Sequence, residues 1–398
     1  MTTHKPGPWR HYDAIIVGAR CAGAATAMLL ARQGLDVLVV ERGEYGSDAL
    51  STHALMRGAV MQLQDWGLLD AVKASGATPV TRTSFHYGDE RVNVRIKSEY
   101  GVDALYAPRR KFLDRILVDA ARQAGARFHF GCIIDDLTRS ADGAVSGARL
   151  RDEFGRIEEI SAGIVIGADG ARSTVARSVG AETLVEGQSA TAVVYGYFQG
   201  LPDEGYRWGF APGMASGVIP TNHGATLVFA GVPSAKYRET FAGDLAGGFG
   251  RVLAAQSPQL ADQVRQAQPM ERLRGYTGLP GFMRLPYGPG WALVGDAGYF
   301  RDPITAHGIT DALRDAALLS RAVVSGRESG FAEYRYLRDA LSRPLFDVTE
   351  AIASFDWTLD EVKRHHIALN AAMKVETAVM SRLGARLPVV PRRIEAAA

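Results

Sequence analysis

Cysteine is nearly absent from this sequence: Cys21 and Cys132 are the only two among 398 residues. Two thiols this far apart do not make a disulfide framework, which excludes the small stapled scaffolds and predicts a cytoplasmic chain. An excess of one charge is lacking too. The formal net charge is +2, so nothing in the balance calls for a nucleic-acid partner. No apolar run is long enough to span a bilayer, so no membrane span is expected. The opening residues, MTTHKPGPWRHYD, have no apolar h-region and read as a loose arm rather than a secretory signal. Internal repeats are missing, and biased composition is confined to a short Pro/Arg/Ala tail. With 47% of residues hydrophobic, what is left is a globular chain of about two domains with an ample core.

The most informative stretch runs from Tyr12 to Arg42. Ala14 to Val17 is a short apolar run, as expected of a strand buried on both faces. A tight turn follows from Gly18 to Gly23. Ala22 to Gln33 has the Ala/Leu composition of a helix, with Gly34 placed to end it. Val37 to Val40 is a second buried strand, closed by Glu41 and Arg42. This is a βαβ unit, the geometry that binds the ADP half of a dinucleotide. A helix N-terminus offers unpaired N–H groups and partial positive charge to a pyrophosphate. Gly18 supplies the tight turn, and Gly23 lets helix and strand pack closely. Glu41, eighteen residues after Gly23, is placed to accept ribose hydroxyls. Arg20 stands where the second glycine of the fingerprint belongs. It either crowds the backbone away from phosphate or brings its guanidinium onto the pyrophosphate. The alternative for the whole stretch is a glycine turn that binds nothing.

Further along, 43–53 reads as a polar loop and 54–66 as a helix, with Leu55, Ala59, Leu63 and Trp66 at helical spacing. Segments of 80–96 alternate as sheet. The run 109–123, RRKFLDRILVDAARQ, is an amphipathic helix stopped at Gly125. Strands are predicted over 127–134, 144–150 and 157–166, the last running into GADGARSTVAR at 167–177. From 188 to 232 the segments are short, aromatic and broken by Gly and Pro, which reads as antiparallel sheet. A helical stretch is expected near 236–247, and a buried strand at 291–294. Three helices follow, over about 308–324, 330–352 and 358–383.

Three motifs stand in one order: GARCAG at 18–23 with Glu41-Arg42, GADGARSTVAR at 167–177, and ALVGDAGYFRDPITAHG at 292–308. With RRKFLD at 109–114, they resemble the FAD-dependent monooxygenases of the para-hydroxybenzoate hydroxylase type. Geranylgeranyl reductases and flavin halogenases are wider relatives. The resemblance covers nearly the whole chain to about residue 350. It implies an α/β fold: a Rossmann-like FAD-binding domain with a parallel sheet (1–78, 101–187 and 276–354), interleaved with a mainly antiparallel-sheet substrate domain (79–100 and 188–275). The segment 355–398 is read as a C-terminal helical extension and tail that caps the active site or forms a subunit contact, so a homodimer is one expectation.

The resemblance also implies roles. Gly18 and Gly23 would hold the pyrophosphate turn, Glu41 the adenosine ribose, and Arg42 would lie near the phosphates or ribose, while Arg20 departs from the family's pattern. Arg110 matches the family's cofactor-contacting arginine, with Arg109 as an adjacent rival. Asp169 and Gly170 match the motif that supports FAD and the incoming nicotinamide. Asp296 would hold the ribityl or ribose hydroxyls. Pro303 and the 305–309 segment, with Gly308 at the helix start, would lie beside the isoalloxazine, where N–H groups stabilise negative charge on the reduced ring. Blander readings stand beside these: Asp296 as an N-cap, Asp169-Gly170 as a turn, Arg110 as a solvated charge, Cys21 as a packing residue.

The halogenase G-x-W-x-W-x-I-P motif is absent, and YRWGFAP at 206–212 is not it, which argues against halogenation. No metal site is expected. The implied activity is an NAD(P)H-using monooxygenase that hydroxylates a small aromatic or other electron-rich substrate with dioxygen, through a C4a-hydroperoxide of the flavin. The alternative is a flavin-dependent reductase of lipid-like double bonds. His53 and His307 are the candidate acid or base, because imidazole titrates near neutral pH. A hydrogen-bonded structural histidine is the competing reading for each. Tyr195, Tyr197, Trp208, Phe210 and Phe229 are available to line the cavity, about half of them by strand alternation.

Overall fold

In the computed structural model, which describes residues 11–49 and 51–383, the first βαβ unit is the centre of the fold. The strand His11–Val17 pairs in parallel with Val37–Glu41 on one side and with Ile157–Gly167 on the other. Parallel pairing continues outward to Arg127–Phe130 beyond Val37–Glu41 and to Trp291–Leu293 beyond Ile157–Gly167. The apolar runs are what a sheet covered on both faces requires: Ala14, Ile15 and Ile16 are all fully buried. The helix Cys21–Arg32 lies on one face and packs against Arg110–Gln123 and Gly308–Ser325. Its alanines at 22, 24, 25, 27 and 31 are buried and keep the helix axes close.

A second sheet takes the strands Thr191–Gln199, Tyr206–Ala211, Met214–Pro220 and Thr226–Pro233, with Arg82–Tyr87 and Glu90–Arg95 at one edge. It is antiparallel except where Tyr206–Ala211 runs parallel to Arg82–Tyr87. Those two strands are separated by most of the first sheet's chain, and a connection of that length does not impose the reversal that a hairpin does. The protein is therefore a mixed α/β fold with a parallel-containing sheet, a mainly antiparallel sheet and C-terminal helices.

Local differences from expectation have local causes. The segment expected as one strand over 127–134 is two, Arg127–Phe130 and Ile133–Arg139, broken at Gly131 with φ +71°. The helix expected from 54 starts at Arg57, because Leu55 bridges to Tyr106 and His53 adopts φ +61°. The helical stretch near 236–247 breaks at Gly243, after which Asp244 caps a new helix, Leu245–Gln256. The last helices are Gly308–Ser325, Glu328–Ala353 and Leu359–Leu383. The last of these packs on Glu328–Ala353 and on Arg57–Asp65. Of the amino-terminal arm, His11, Tyr12 and Asp13 belong to the first strand, where the sheet's pairing extends past the apolar run, and the rest lies outside the described residues, as does the carboxy-terminal tail. Among those described, no helix is long and apolar enough to cross a membrane.

Candidate active site

The three motifs meet at the start of the helix Cys21–Arg32. Gly18 has φ +105°, and a Cβ there would lie 2.5 Å from the Ala168 carbonyl oxygen of the second motif. A Cβ on Gly23 would lie 1.9 Å from the Gly18 oxygen. Gly295 of the third motif, with φ +59°, brings its backbone against Ala22, so closely that a Cβ would stand 2.8 Å from the alanine methyl. Only glycine permits these approaches. Arg20 occupies the N-cap position in extended conformation and makes no side-chain cap, so no side chain competes for the N–H groups of the first turn.

Arg20 does not lie free beside this turn. Its Nη1 is 3.4 Å from Oδ2 of Asp114, whose Oδ1 also accepts from Arg110 Nε at 3.0 Å and from Cys21 Sγ at 3.2 Å. Asp114 thus ties the helix Arg110–Gln123 to the pyrophosphate turn. The RRKFLD motif contained this aspartate, but its spacing four residues after Arg110 was the only signal of its role. Burial pushes the Cys21 thiol well up from its ordinary range, as befits a packing residue. The Glu41 carboxylate is held at the same turn, accepting from the N–H groups of Ala19 (2.8 Å) and Gly43 (2.7 Å). Arg42, the next residue, is exposed.

Asp169 accepts from Ser173 Oγ at 2.5 Å and from the Thr174 N–H at 2.6 Å, while Gly170 takes φ +81°. The second motif therefore caps the helix Thr174–Ser178 on one side and supports the Gly18 turn on the other. Asp296 is exposed between the buried residues Gly295 and Ala297. Desolvation raises its carboxyl to about 6, against the pull of Arg110 and with Asp311 and Asp315 adding to the rise. An exposed acceptor near the half-buried Arg110 is suited to a polyhydroxyl chain.

Downstream, Asp302 caps the turn Pro303–Thr305 by accepting from the Ile304 N–H at 2.9 Å. Ala306 at φ +50° then turns the chain into the helix Gly308–Ser325. Gly308 is exposed, and a Cβ there would meet nothing within 4 Å. The N-terminus of an 18-residue helix is left open with no side-chain cap, a place for developing negative charge.

Beside this turn is a cavity of about 960 Å³. Ile304, Thr305 and His307 reach it from the turn, the sheet residues Phe85, Trp208 and Phe210 wall it, and Leu369 and Met373 close it from the last helix. Of the five aromatic residues expected to line it, Trp208 and Phe210 do. Tyr195, Tyr197 and Phe229 are buried elsewhere in the sheet.

The two histidines belong to different networks. His53 is fully buried, its Nε2 bonded to the Tyr197 hydroxyl. Burial holds its imidazole down at about 3, opposed by Asp48 and reinforced by Arg110 and Arg109. Arg109 lies over the Tyr197 ring at 4.0 Å and pairs with Asp48 and with Glu271, the latter at 2.6 Å. His307 lies 2.7 Å from Oε2 of Glu376, a carboxylate supplied by the last helix, and its Nδ1 is buried with no partner. Glu376 Oε1 accepts from Arg314 Nη1 at 2.7 Å, and Arg314, itself fully buried, also bonds Asp311 and Asp315. His307, Asp311 and Glu376 bring ligand atoms within 4.8 Å of one another. Arg314 and Arg301 already sit on these carboxylates, so a cation there would meet two guanidinium charges. Glu376 and Arg314 were invisible in sequence because nothing local links residue 314 to residue 376.

Comparison with known proteins agrees with this geometry. Digeranylgeranylglycerophospholipid reductase 2 of Methanothermobacter thermautotrophicus is 28% identical over 339 residues, 82% of this chain and 81% of that one. The probable electron transfer flavoprotein-quinone oxidoreductase YdiS of Escherichia coli is 34% identical over 174 residues, 42% of this chain, and the match spans only 39% of YdiS. Among solved structures, the flavin-dependent brominase Bmp2 superposes with a TM-score of 0.79 at 19% identity, covering 95% of this chain and 94% of that one. PqsL of Pseudomonas aeruginosa, a probable FAD-dependent monooxygenase, gives 0.70 at 21% identity, covering 94% and 100%. At such identities these structures share the fold. Residues 11–229 match the FAD binding domain family, and since that span is more than half of the chain and contains the first two motifs, this protein belongs to that family of FAD-dependent oxidoreductases.

Proposed function

We propose that this protein is an NAD(P)H-using monooxygenase acting on a small aromatic or otherwise electron-rich substrate. The observation that carries the reading is the aromatic-walled cavity of about 960 Å³ opening beside the turn 303–308, where the open helix N-terminus lies. The residues fit FAD. The turn Gly18–Gly23 and the uncapped helix start would take its pyrophosphate, with Arg20 alongside. Glu41 and Arg42 would take the adenosine ribose, and Asp296 the ribityl hydroxyls, with Arg110 facing it. Asp169 and Gly170 would brace the turn from below. Pro303 and Gly308 would meet the ring system. FAD, when bound, supplies the two-electron chemistry. In the overall reaction, two electrons from NAD(P)H and one molecule of dioxygen put one oxygen atom into the substrate and release the other as water.

The protein's part is to place the substrate, exclude water and handle one proton. His307 is the candidate for the proton: Glu376 fixes its Nε2, and the unpartnered Nδ1 is the atom that would accept. His53, held neutral far below physiological pH, suits a structural role beneath the cofactor better than that of a base. A second reading, reduction of a lipid-like double bond, is favoured by one observation: the relative matched over four-fifths of the chain is a digeranylgeranylglycerophospholipid reductase. Turnover of the FAD-loaded protein with NADPH under ¹⁸O-labelled dioxygen, across a panel of phenols and polyprenyl lipids, separates the two. One labelled atom in the product supports oxygenation. A product carrying two added hydrogens and no label, formed equally well without dioxygen, supports the reductase.

A further inference from the structure

The cavity's wall is mostly apolar; of its charged lining residues, Arg95, Lys97, Glu99 and Lys374 are solvent-exposed at the rim, Arg57 is held by the carbonyls of Lys97, Glu99 and Val102, and Lys363 pairs with Glu90. Polar groups deeper in the wall are either bonded within the protein or, like the Tyr206 hydroxyl and His307 Nδ1, fully buried without a partner. Thr83 Oγ1 already accepts from the Trp208 indole N–H at 3.1 Å. His366, on the helix Leu359–Leu383, is different. Its ring is packed among Phe210, at 4.4 Å between centroids, Phe85 at 5.4 Å and Tyr87 at 5.8 Å. Its Nδ1 lies 3.1 Å from the Tyr87 hydroxyl, and the Val362 carbonyl one turn earlier favours a proton on the ring. The Tyr87 hydroxyl takes Nδ1, so Nε2 is the imidazole's other polar atom, on a half-buried ring in the cavity wall. Burial holds the imidazole down to about 4, which leaves it neutral at physiological pH. A neutral ring whose Nδ1 carries the hydrogen presents a lone pair on Nε2. Such a group accepts from a hydroxyl and gives a carboxylate nothing to bind.

We propose that His366, held by Tyr87, is the specificity-determining residue of this cavity, receiving the hydroxyl of an otherwise apolar ligand on Nε2. The proposal rests on the reading of this cavity as the substrate site. It places the determinant on the C-terminal helix, outside both sheets, so that the helix selects as well as covers. A ligand of the same shape without a hydroxyl leaves Nε2 unpaired against an apolar surface, which is the usual source of discrimination in a buried pocket.

The test titrates the FAD-loaded protein with 2-naphthol and with naphthalene, following the visible flavin spectrum and tryptophan fluorescence. Wild type is expected to bind 2-naphthol more tightly, and His366→Phe to lower that preference by about fivefold while leaving naphthalene affinity within about twofold. His366→Gln, which keeps a hydrogen-bonding side chain, is expected to retain most of the preference even if the phenylalanine variant folds poorly. Equal binding of the two probes by wild type, or an unchanged preference in His366→Phe, overturns the role of His366 alone. If wild type binds neither probe, the cavity reading fails and the inference fails with it.

Discussion

His53 shows how a single residue reports on the whole fold. It is held neutral in the interior, with its folded-state value near 3 against an ordinary 6.5. The unfolded chain therefore binds a proton there that the native state does not. Stability from this site is complete above about pH 6.5 and is lost as the pH falls below it, by about 1.4 kcal/mol for each unit. We expect urea midpoints to decline below pH 6.5, and His53→Gln, which cannot charge, to flatten that decline. An identical pH profile in the variant would show that other groups set the acid limit. Asp114 makes a related point. One carboxylate joins Arg20, Cys21 and Arg110, so the arginine that replaces the fingerprint's glycine is directed by the protein itself.

Among elements, the helix Leu359–Leu383 changes meaning most between sequence and structure. The sequence read it as an appended helix that caps the active site or forms a subunit contact. It carries Glu376 into a buried pair with His307 and Arg314, and it forms one wall of the cavity. Removing one partner of a buried charge set leaves the others uncompensated, so Glu376→Leu is expected to cost about 3–5 kcal/mol in chemical denaturation. A loss below about 1 kcal/mol would mean that the network relaxes around its absence. The sequence could not show this, because ion pairs between residues 62 positions apart leave no periodic trace. The same limit explains the sheet residues. Alternation said that about half of five aromatic side chains would face the cavity, and only the register of the strands decided that Trp208 and Phe210 do so while Tyr197 turns toward Arg109. By contrast the βαβ unit was readable almost to the residue. Its signals are local: a four-residue apolar run, a glycine turn and an alanine-rich helix.

At the scale of the molecule, the account rests on three motifs that lie far apart in the chain and meet at one helix N-terminus. The glycines make that meeting possible, since Gly18, Gly23 and Gly295 each allow a backbone approach that a Cβ would block. A cofactor bound there would run from Glu41, past the turn, to the open end of the helix Gly308–Ser325 beside the cavity. The sequence carried this arrangement because each motif is a short local turn of its own, whereas the cavity beside it is built from residues spread over the second sheet, the start of the helix Arg57–Asp65, the turn 303–308 and the last helix.

The most direct test is FAD binding itself, measured by quenching of flavin fluorescence on titration with the protein stripped of any bound flavin. We expect one FAD per chain, weakened more than about tenfold in Gly23→Val, whose added atoms would meet the Gly18 carbonyl. Asp296→Asn, a change at an exposed side chain that leaves the packing intact, is expected to weaken binding as well, with an unaltered far-ultraviolet circular dichroism spectrum. Undiminished affinity in both variants would contradict the placement of the cofactor where the three motifs converge.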